Sequence, residues 1–168
     1  MLDAFLKGLP ENSFEIEWID AYERMVMPCT HCGHCERQAG CFYRDMDEIH
    51  ERITRADALL FASPVYNACF PAPMKAIIDR FQRYYAARVS LGHPSPLLRP
   101  KKAVLLTVSG SCDEDAPRHM QRVLARQFTV MNTTLSAAFH LPDTDRDGGL
   151  SPLSEAELAA LARRLGED

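Results

Sequence analysis

Asp57-Ala58-Leu59-Leu60-Phe61-Ala62-Ser63-Pro64-Val65-Tyr66-Asn67 is the stretch whose reading decides the fold. Residues 58–62 form a short continuous apolar run between breakers, which suits a buried strand of a parallel sheet. Residues 63–67 then form a loop at the carboxyl end of that strand, where open α/β sheets bind ligands. The loop offers backbone N–H groups, the Tyr66 ring and a proline that fixes its path, all suited to the edge of a flat heterocycle. A plain strand-to-helix connection is the simpler account of the same residues.

The flanks repeat the alternation of strand and helix. Upstream, residues 45–56 predict a helix with Met46, Ile49 and Ile53 inward. Downstream, Pro71 and Pro73 sit in a first turn, and Met74, Ile77, Ile78, Phe81 and Tyr85 make one apolar stripe. After a Pro-, Gly- and Ser-rich loop, residues 103–108 read as a second buried strand that breaks at Ser109-Gly110-Ser111. Residues 116–131 read as an amphipathic helix and residues 134–141 as a third core strand. Ser154-Glu155-Ala156-Glu157 has the form of a capping box before a helix packed through Leu158, Leu161, Ala162 and Leu165. At the other end, Leu2, Phe5, Leu6 and Leu9 share a helix face closed by Gly8-Leu9-Pro10, and residues 14–19 alternate as a half-buried edge strand. The pattern is α/β, a parallel sheet covered on both sides.

The 168 residues carry a net charge of -4, with 46% apolar and 25% charged side chains. One domain over residues 1–168 is expected, since a chain of this size hides about 70% of its unfolded surface without covalent staples. Scattered basic residues and the negative balance exclude a nucleic-acid surface. No apolar stretch nears the ~20 residues that span a bilayer, and no basic segment with an apolar core opens the chain; a cytoplasmic protein with no membrane partner is expected.

Six cysteines are the unusual component. Four lie in a loop over residues 28–44, which reads Pro28-Cys29-Thr30-His31-Cys32-Gly33-His34-Cys35 and then reaches Cys41 after Gly40. In a reducing compartment such a cluster indicates a metal or redox site. Three thiolates at three-residue spacing can converge because the intervening pairs turn the backbone, and a fourth after a short loop closes the cage. A cubane 4Fe-4S cluster takes four Cys in this arrangement. Zinc accepts four sulfurs, or sulfur with His31 or His34, although its sites usually join two ligand pairs held well apart. A reduced, empty turn accounts for the same residues. Cys69 and Cys112 fall in the two loops expected to meet at the ligand site, as small buried thiols. Asp143-Thr144-Asp145-Arg146-Asp147-Gly148 is like the start of a calcium loop, but Ser154 stands where the bidentate Glu belongs, so it reads as a turn before the last helix. His119 and His140 pair with no nucleophile and acid, and are expected to be structural or exposed.

The cysteine cluster, Asp45-Met46 opening a helix, Ala56-Asp57 before a strand, Ser63-Pro64-Val65-Tyr66, and Met74-Lys75 with Asp79-Arg80 come in an order that resembles the flavodoxin-like NAD(P)H-dependent FMN reductases. The resemblance is strongest to their iron-sulfur flavoprotein branch and covers residues 1–141. It implies a flavodoxin-like three-layer sandwich in which Pro64, Val65, Tyr66 and Asn67 line the FMN ring, with Ser109, Gly110 and Ser111 approaching from the next strand. It also implies that Cys29, Cys32, Cys35 and Cys41 are the cluster ligands. Family members begin with a strand and a phosphate-binding loop at the start of the first helix; both are missing here, and we expect about 25 further residues upstream of Met1, enough for a strand, a loop and first turns.

The function implied is an FMN-dependent oxidoreductase passing electrons between NAD(P)H or a reduced carrier and a quinone, flavin or protein acceptor, through a 4Fe-4S cluster if the cysteines hold one. Its partners would be small-molecule or protein redox carriers, and the resemblance implies a homo-oligomer. Two alternatives stand beside it: a non-enzymatic, zinc-stabilised interaction module, and an FMN reductase whose cysteine loop is empty.

Overall fold

The computed structural model describes residues 1–147 and 149–165. Its elements run α1 (Leu2–Lys7), α2 (His34–Arg37), α3 (Asp47–Arg55), β1 (Ala58–Pro64), α4 (Ala72–Arg80), α5 (Gln82–Val89), β2 (Lys101–Val108), α6 (Asp115–Phe128), β3 (Thr133–Leu141), α7 (Thr144–Asp147) and α8 (Pro152–Leu165). The strands form one parallel sheet in the order β1-β2-β3, pairing Pro64 with Val108 and Val108 with Leu141 at the carboxyl ends. Each strand therefore delivers its following loop to the same edge, as a flavodoxin-like sheet requires.

Side chains alternate across the sheet, so each strand supplies two cores. Leu59, Ala103 and Leu105 meet Ile49 and Ile53 of α3, Ile78 of α4 and Leu124 of α6. Val104, Leu106 and Phe139 meet Phe5 of α1 with Leu158 and Ala162 of α8. The three layers are thus helix, sheet and helix. Helix α1 crosses α8 so closely that a Cβ on Gly8 would lie 2.5 Å from the Ala159 Cα, which leaves room for glycine alone. Among the described residues, no helix is long and apolar enough to cross a membrane.

Three local expectations change. Residues 14–19 form no strand; the Trp18 carbonyl accepts Arg52 Nη1 at 3.0 Å, and the Glu17 carboxylate faces Arg52 and Arg55 at 3.6 Å each. Alternating side chains alone do not make a strand, and this segment has no ladder partner among the described residues. The stripe expected to reach Tyr85 breaks at Phe81, between α4 and α5, and the shift in phase buries Tyr84 while leaving Tyr85 exposed. The last helix starts earlier than its capping box suggests: Ser151 Oγ accepts from the Ser154 amide at 3.1 Å, placing Ser154 in the first turn.

Candidate functional site

Two groups of candidate residues are assembled at opposite ends of α4. The first turn of α4 follows the loop after β1, and its last residue, Arg80, lies at the cysteine loop. Those ends are separated by about 12 Å along the helix axis.

At the cysteine end, Cys29, Cys32, Cys35 and Cys41 all line one cavity, with His31, Glu36, Tyr43, Arg80 and Gln82. The turns between them use left-handed backbone at His31 (φ 51°), Gly33 (φ 67°) and Gly40 (φ 100°). Gly33 then caps the one-turn α2, which carries Cys35. Cys29 and Cys32 are exposed, Cys35 and Cys41 half-buried, and all four are free thiols. They ring the cavity rather than converge on a point: among the described residues, no three His, Cys, Asp or Glu side chains form a ready-made single-ion site. Burial pushes the Cys35 thiol up, and the charges of Cys41 and Cys29 add to the rise. Thiols so grouped ionise together only beside positive charge, which is what a metal centre supplies.

Arg80 is the buried charge of this end. Its side chain is 1% exposed, and Nη2 meets Asp45 Oδ1 at 2.7 Å. Nη1 donates to the Met27 carbonyl at 2.7 Å and Nη2 to the Tyr43 carbonyl at 2.9 Å, so one guanidinium joins both stems of the cysteine loop. Asp45 Oδ2 accepts from the Met27 amide at 2.7 Å and completes the closure. Burial would pull the Arg80 pKa down, but the Asp45 hydrogen bond and the Cys41 charge outweigh it and hold it above the ordinary value. Arg80 Nε is buried without a partner. Behind the clamp, His50 Nδ1 and Tyr84 Oη are 2.8 Å apart, and burial, helped by Arg83 and Arg80, pushes the histidine pKa down to about 3.

At the strand end, the structure brings the two expected ring-binding segments together. The Val65 amide donates to the Val108 carbonyl at 2.8 Å, so Pro64-Val65-Tyr66-Asn67 and Ser109-Gly110-Ser111 leave neighbouring strands side by side. Tyr66 and Cys69 exchange two backbone hydrogen bonds of 2.9 Å around Asn67 (φ 49°) and Ala68 (φ 59°), a tight turn that holds the Tyr66 ring 55% exposed. Asn67 is exposed as well, whereas Pro64 and Val65 are half-buried. Cys69 is half-buried, but Cys112 is exposed instead of packed beside the site.

The Ser109 loop is tied to the segment after β3. Ser109 Oγ donates to the Ser111 carbonyl at 2.6 Å, and the Ser109 carbonyl accepts Thr144 N and Oγ1, each at 3.1 Å. The Asp145 carboxylate lies over Gly110, where a Cβ would collide with it. The calcium-loop pattern therefore contributes to this packing; its Gly148 lies outside the described residues. His140, expected to be structural or exposed, is half-buried between Thr107 Oγ1 at 3.0 Å from Nδ1 and Ser109 Oγ at 3.2 Å from Nε2. Burial pushes its pKa down despite the Thr107 hydrogen bond and the charges of Asp113 and Glu114.

Arg80 is the contributor that sequence reasoning passed over, whereas His140 fills one of the two roles expected of it, the structural one. Arg80 was visible only as part of an Asp-Arg pair on a helix. A charged residue in phase with the apolar stripe, one turn beyond Ala76 and Ile77, was the available signal.

Residues 1–143 match the family model described as NADPH-dependent FMN reductase. An iron-sulfur flavoprotein of Archaeoglobus fulgidus is 36% identical over 127 residues, covering 74% of this chain and 54% of its own. Another, from Methanosarcina thermophila, is 32% identical over 124 residues, covering 73% of this chain and 61% of its own. The chain thus spans just over half the length of these curated relatives. Among solved structures, an NAD(P)H:quinone oxidoreductase from Methanothermobacter marburgensis superposes with a TM-score of 0.68 at 26% identity, covering 98% of this chain and 84% of that one.

Proposed function

The chain belongs to the NADPH-dependent FMN reductase family, and on that premise we propose an FMN-dependent oxidoreductase that carries a 4Fe-4S cluster on Cys29, Cys32, Cys35 and Cys41. It would take electrons from NAD(P)H or a reduced carrier and deliver them to a quinone, a flavin or a redox protein. The reading places it in the cytoplasm as a homo-oligomer. The observation that carries it is the ring of four thiols around one cavity with a buried guanidinium beside them. The names of the relatives support both halves of the reading, iron-sulfur flavoprotein for one and NAD(P)H:quinone oxidoreductase for the other.

Bound FMN supplies exchange between two-electron and one-electron carriers, and a bound cluster supplies single-electron transfer. The chain's own residues bind and orient. Pro64 and Val65 hold the β1 loop against β2, and the Tyr66 turn presents an exposed ring suited to the face or edge of a flat heterocycle. Ser109 spends its hydroxyl on the Ser111 carbonyl, which keeps the neighbouring loop in one shape. Gly110 permits a close approach at that edge once Asp145 moves aside. No residue is asked to act as nucleophile or general acid.

An anaerobic visible spectrum with iron, sulfide and zinc analysis tests the reading. Brown protein with about four iron and four sulfide per chain is expected from a cubane. Yellow protein without iron would leave flavin alone, and colourless zinc-containing protein would replace the enzyme reading with an interaction module. Cys32→Ala should abolish iron retention and leave bound flavin in place; unchanged iron would refute the ligand assignment.

A further inference from the structure

We propose that Arg80 is the positioning residue of the cysteine site and sets the reduction potential of the cluster held there; this rests on the cluster reading above. The guanidinium lines the same cavity as the four cysteines and is all but sealed from solvent. Its two terminal nitrogens hold the Met27 and Tyr43 carbonyls, the residues that bracket the cysteine-bearing segment, and Asp45 holds the pair in register. The guanidinium carbon also stands 5.4 Å from the Tyr43 ring centroid, which fixes its plane.

Closing the loop requires carbonyl partners, but it does not require an unpartnered nitrogen. Arg80 Nε is buried with no oxygen or nitrogen acceptor, the Cys41 thiol is already a hydrogen-bonding partner of the same side chain, and a buried donor left unsatisfied is unfavourable. A donor kept in this condition beside four sulfurs is suited to a sulfur acceptor, thiolate or bridging sulfide. A cation and an N–H aimed at a cluster stabilise its more negative, reduced form, because one-electron reduction adds a negative charge that the guanidinium attracts. Asp45, one-third exposed and outside the cavity lining, opposes this partly because its carboxylate neutralises the guanidinium.

The test is a dithionite titration of the anaerobically loaded full chain, followed by electron paramagnetic resonance. Iron and sulfide content is measured first on the wild type. Arg80→Gln should lower the potential by about 59 mV, a tenfold change in the one-electron equilibrium. Arg80→Lys should restore most of the loss, and Asp45→Asn, which leaves the cation unneutralised, should shift the potential the other way. Should Arg80→Gln fold but hold no cluster while Arg80→Lys holds one, the positioning role is supported. A wild-type cluster whose potential is unmoved in Asp45→Asn, and in Arg80→Gln where that variant holds a cluster, overturns the inference alone. Wild-type protein that takes up no iron overturns the cluster reading and this inference with it.

Discussion

The two ends of α4 carry sites built on opposite physical plans. At the cysteine end, one buried cation gathers partners 35 to 53 positions away in sequence: Asp45, Tyr43 and Met27 all converge on Arg80. At the strand end, many neutral hydrogen bonds share the holding, some local, as in the Tyr66–Cys69 turn and the Ser109 hydroxyl on the carbonyl two residues on, and some distant, as from Val65 to Val108 and from Thr144 to Ser109. A site hung on one charge stands or falls with that charge and with whatever titrates near it. A site spread over many neutral hydrogen bonds loses little when any one goes. Under the proposed function the contrast would have a use: a charged cluster would be tuned by fixed charge, whereas a flat neutral ring would need shape and backbone.

The largest expected effect breaks the charged end. Arg80→Met leaves two carbonyls and the one-third-exposed Asp45 carboxylate without their donor. With water able to reach Asp45, the loss should be that of hydrogen bonds to a charged group, about 1.5 to 3 kcal/mol. Urea unfolding of the metal-free protein should show that loss, and a change below about 1 kcal/mol would mean that the loop closes without the clamp. Acid is the next. His50 is held neutral with a pKa of about 3, below its unfolded value near 6.5. Its contribution is therefore complete above pH 6.5 and is lost as pH falls from 6.5 toward about 3. The slope is about 1.4 kcal/mol per pH unit, so about 2 kcal/mol should go between pH 7 and 5. His50→Gln keeps a partner for Tyr84 Oη and should flatten most of that slope in paired urea midpoints. An unchanged slope would move the acid sensitivity to another group.

The same contrast explains what the sequence made legible. β1 and β2 were readable because residues 58–62 and 103–106 are continuous apolar runs, and the packing of helices on both faces of the sheet is their cause. The cysteine ring was readable from spacing, since His31, Gly33 and Gly40 turn the chain between its thiols. Arg80 was not, because its role depends on Met27 and Tyr43 arriving from a loop with no periodicity of its own. The alternation over residues 14–19 misled for a related reason: a strand is defined by its neighbour, and pattern supplies only the faces. Tyr84 and Tyr85 exchanged places because a break at Phe81 shifts the helical phase by less than a turn, which no hydrophobic stripe records.

The smallest effect tests the distributed end. Ser109→Ala removes the 2.6 Å bond to the Ser111 carbonyl and leaves one nitrogen of His140 facing a methyl group. A neutral histidine has a single N–H, and Thr107 Oγ1, which donates to the Phe139 carbonyl at 3.3 Å, remains available to accept it. The Ser109 backbone also stays in place, because its amide still donates to the Leu141 carbonyl at 3.0 Å and its carbonyl still accepts from Thr144. The loss should therefore be about 1 kcal/mol, the net worth of one neutral hydrogen bond, with the pH 7 to 5 slope unchanged. Thermal and urea unfolding of this variant beside Arg80→Met measure the two plans on one scale. A Ser109→Ala loss as large as that of Arg80→Met would show that His140 makes the strand end depend on one buried group too, and the distinction between the two ends of α4 would collapse.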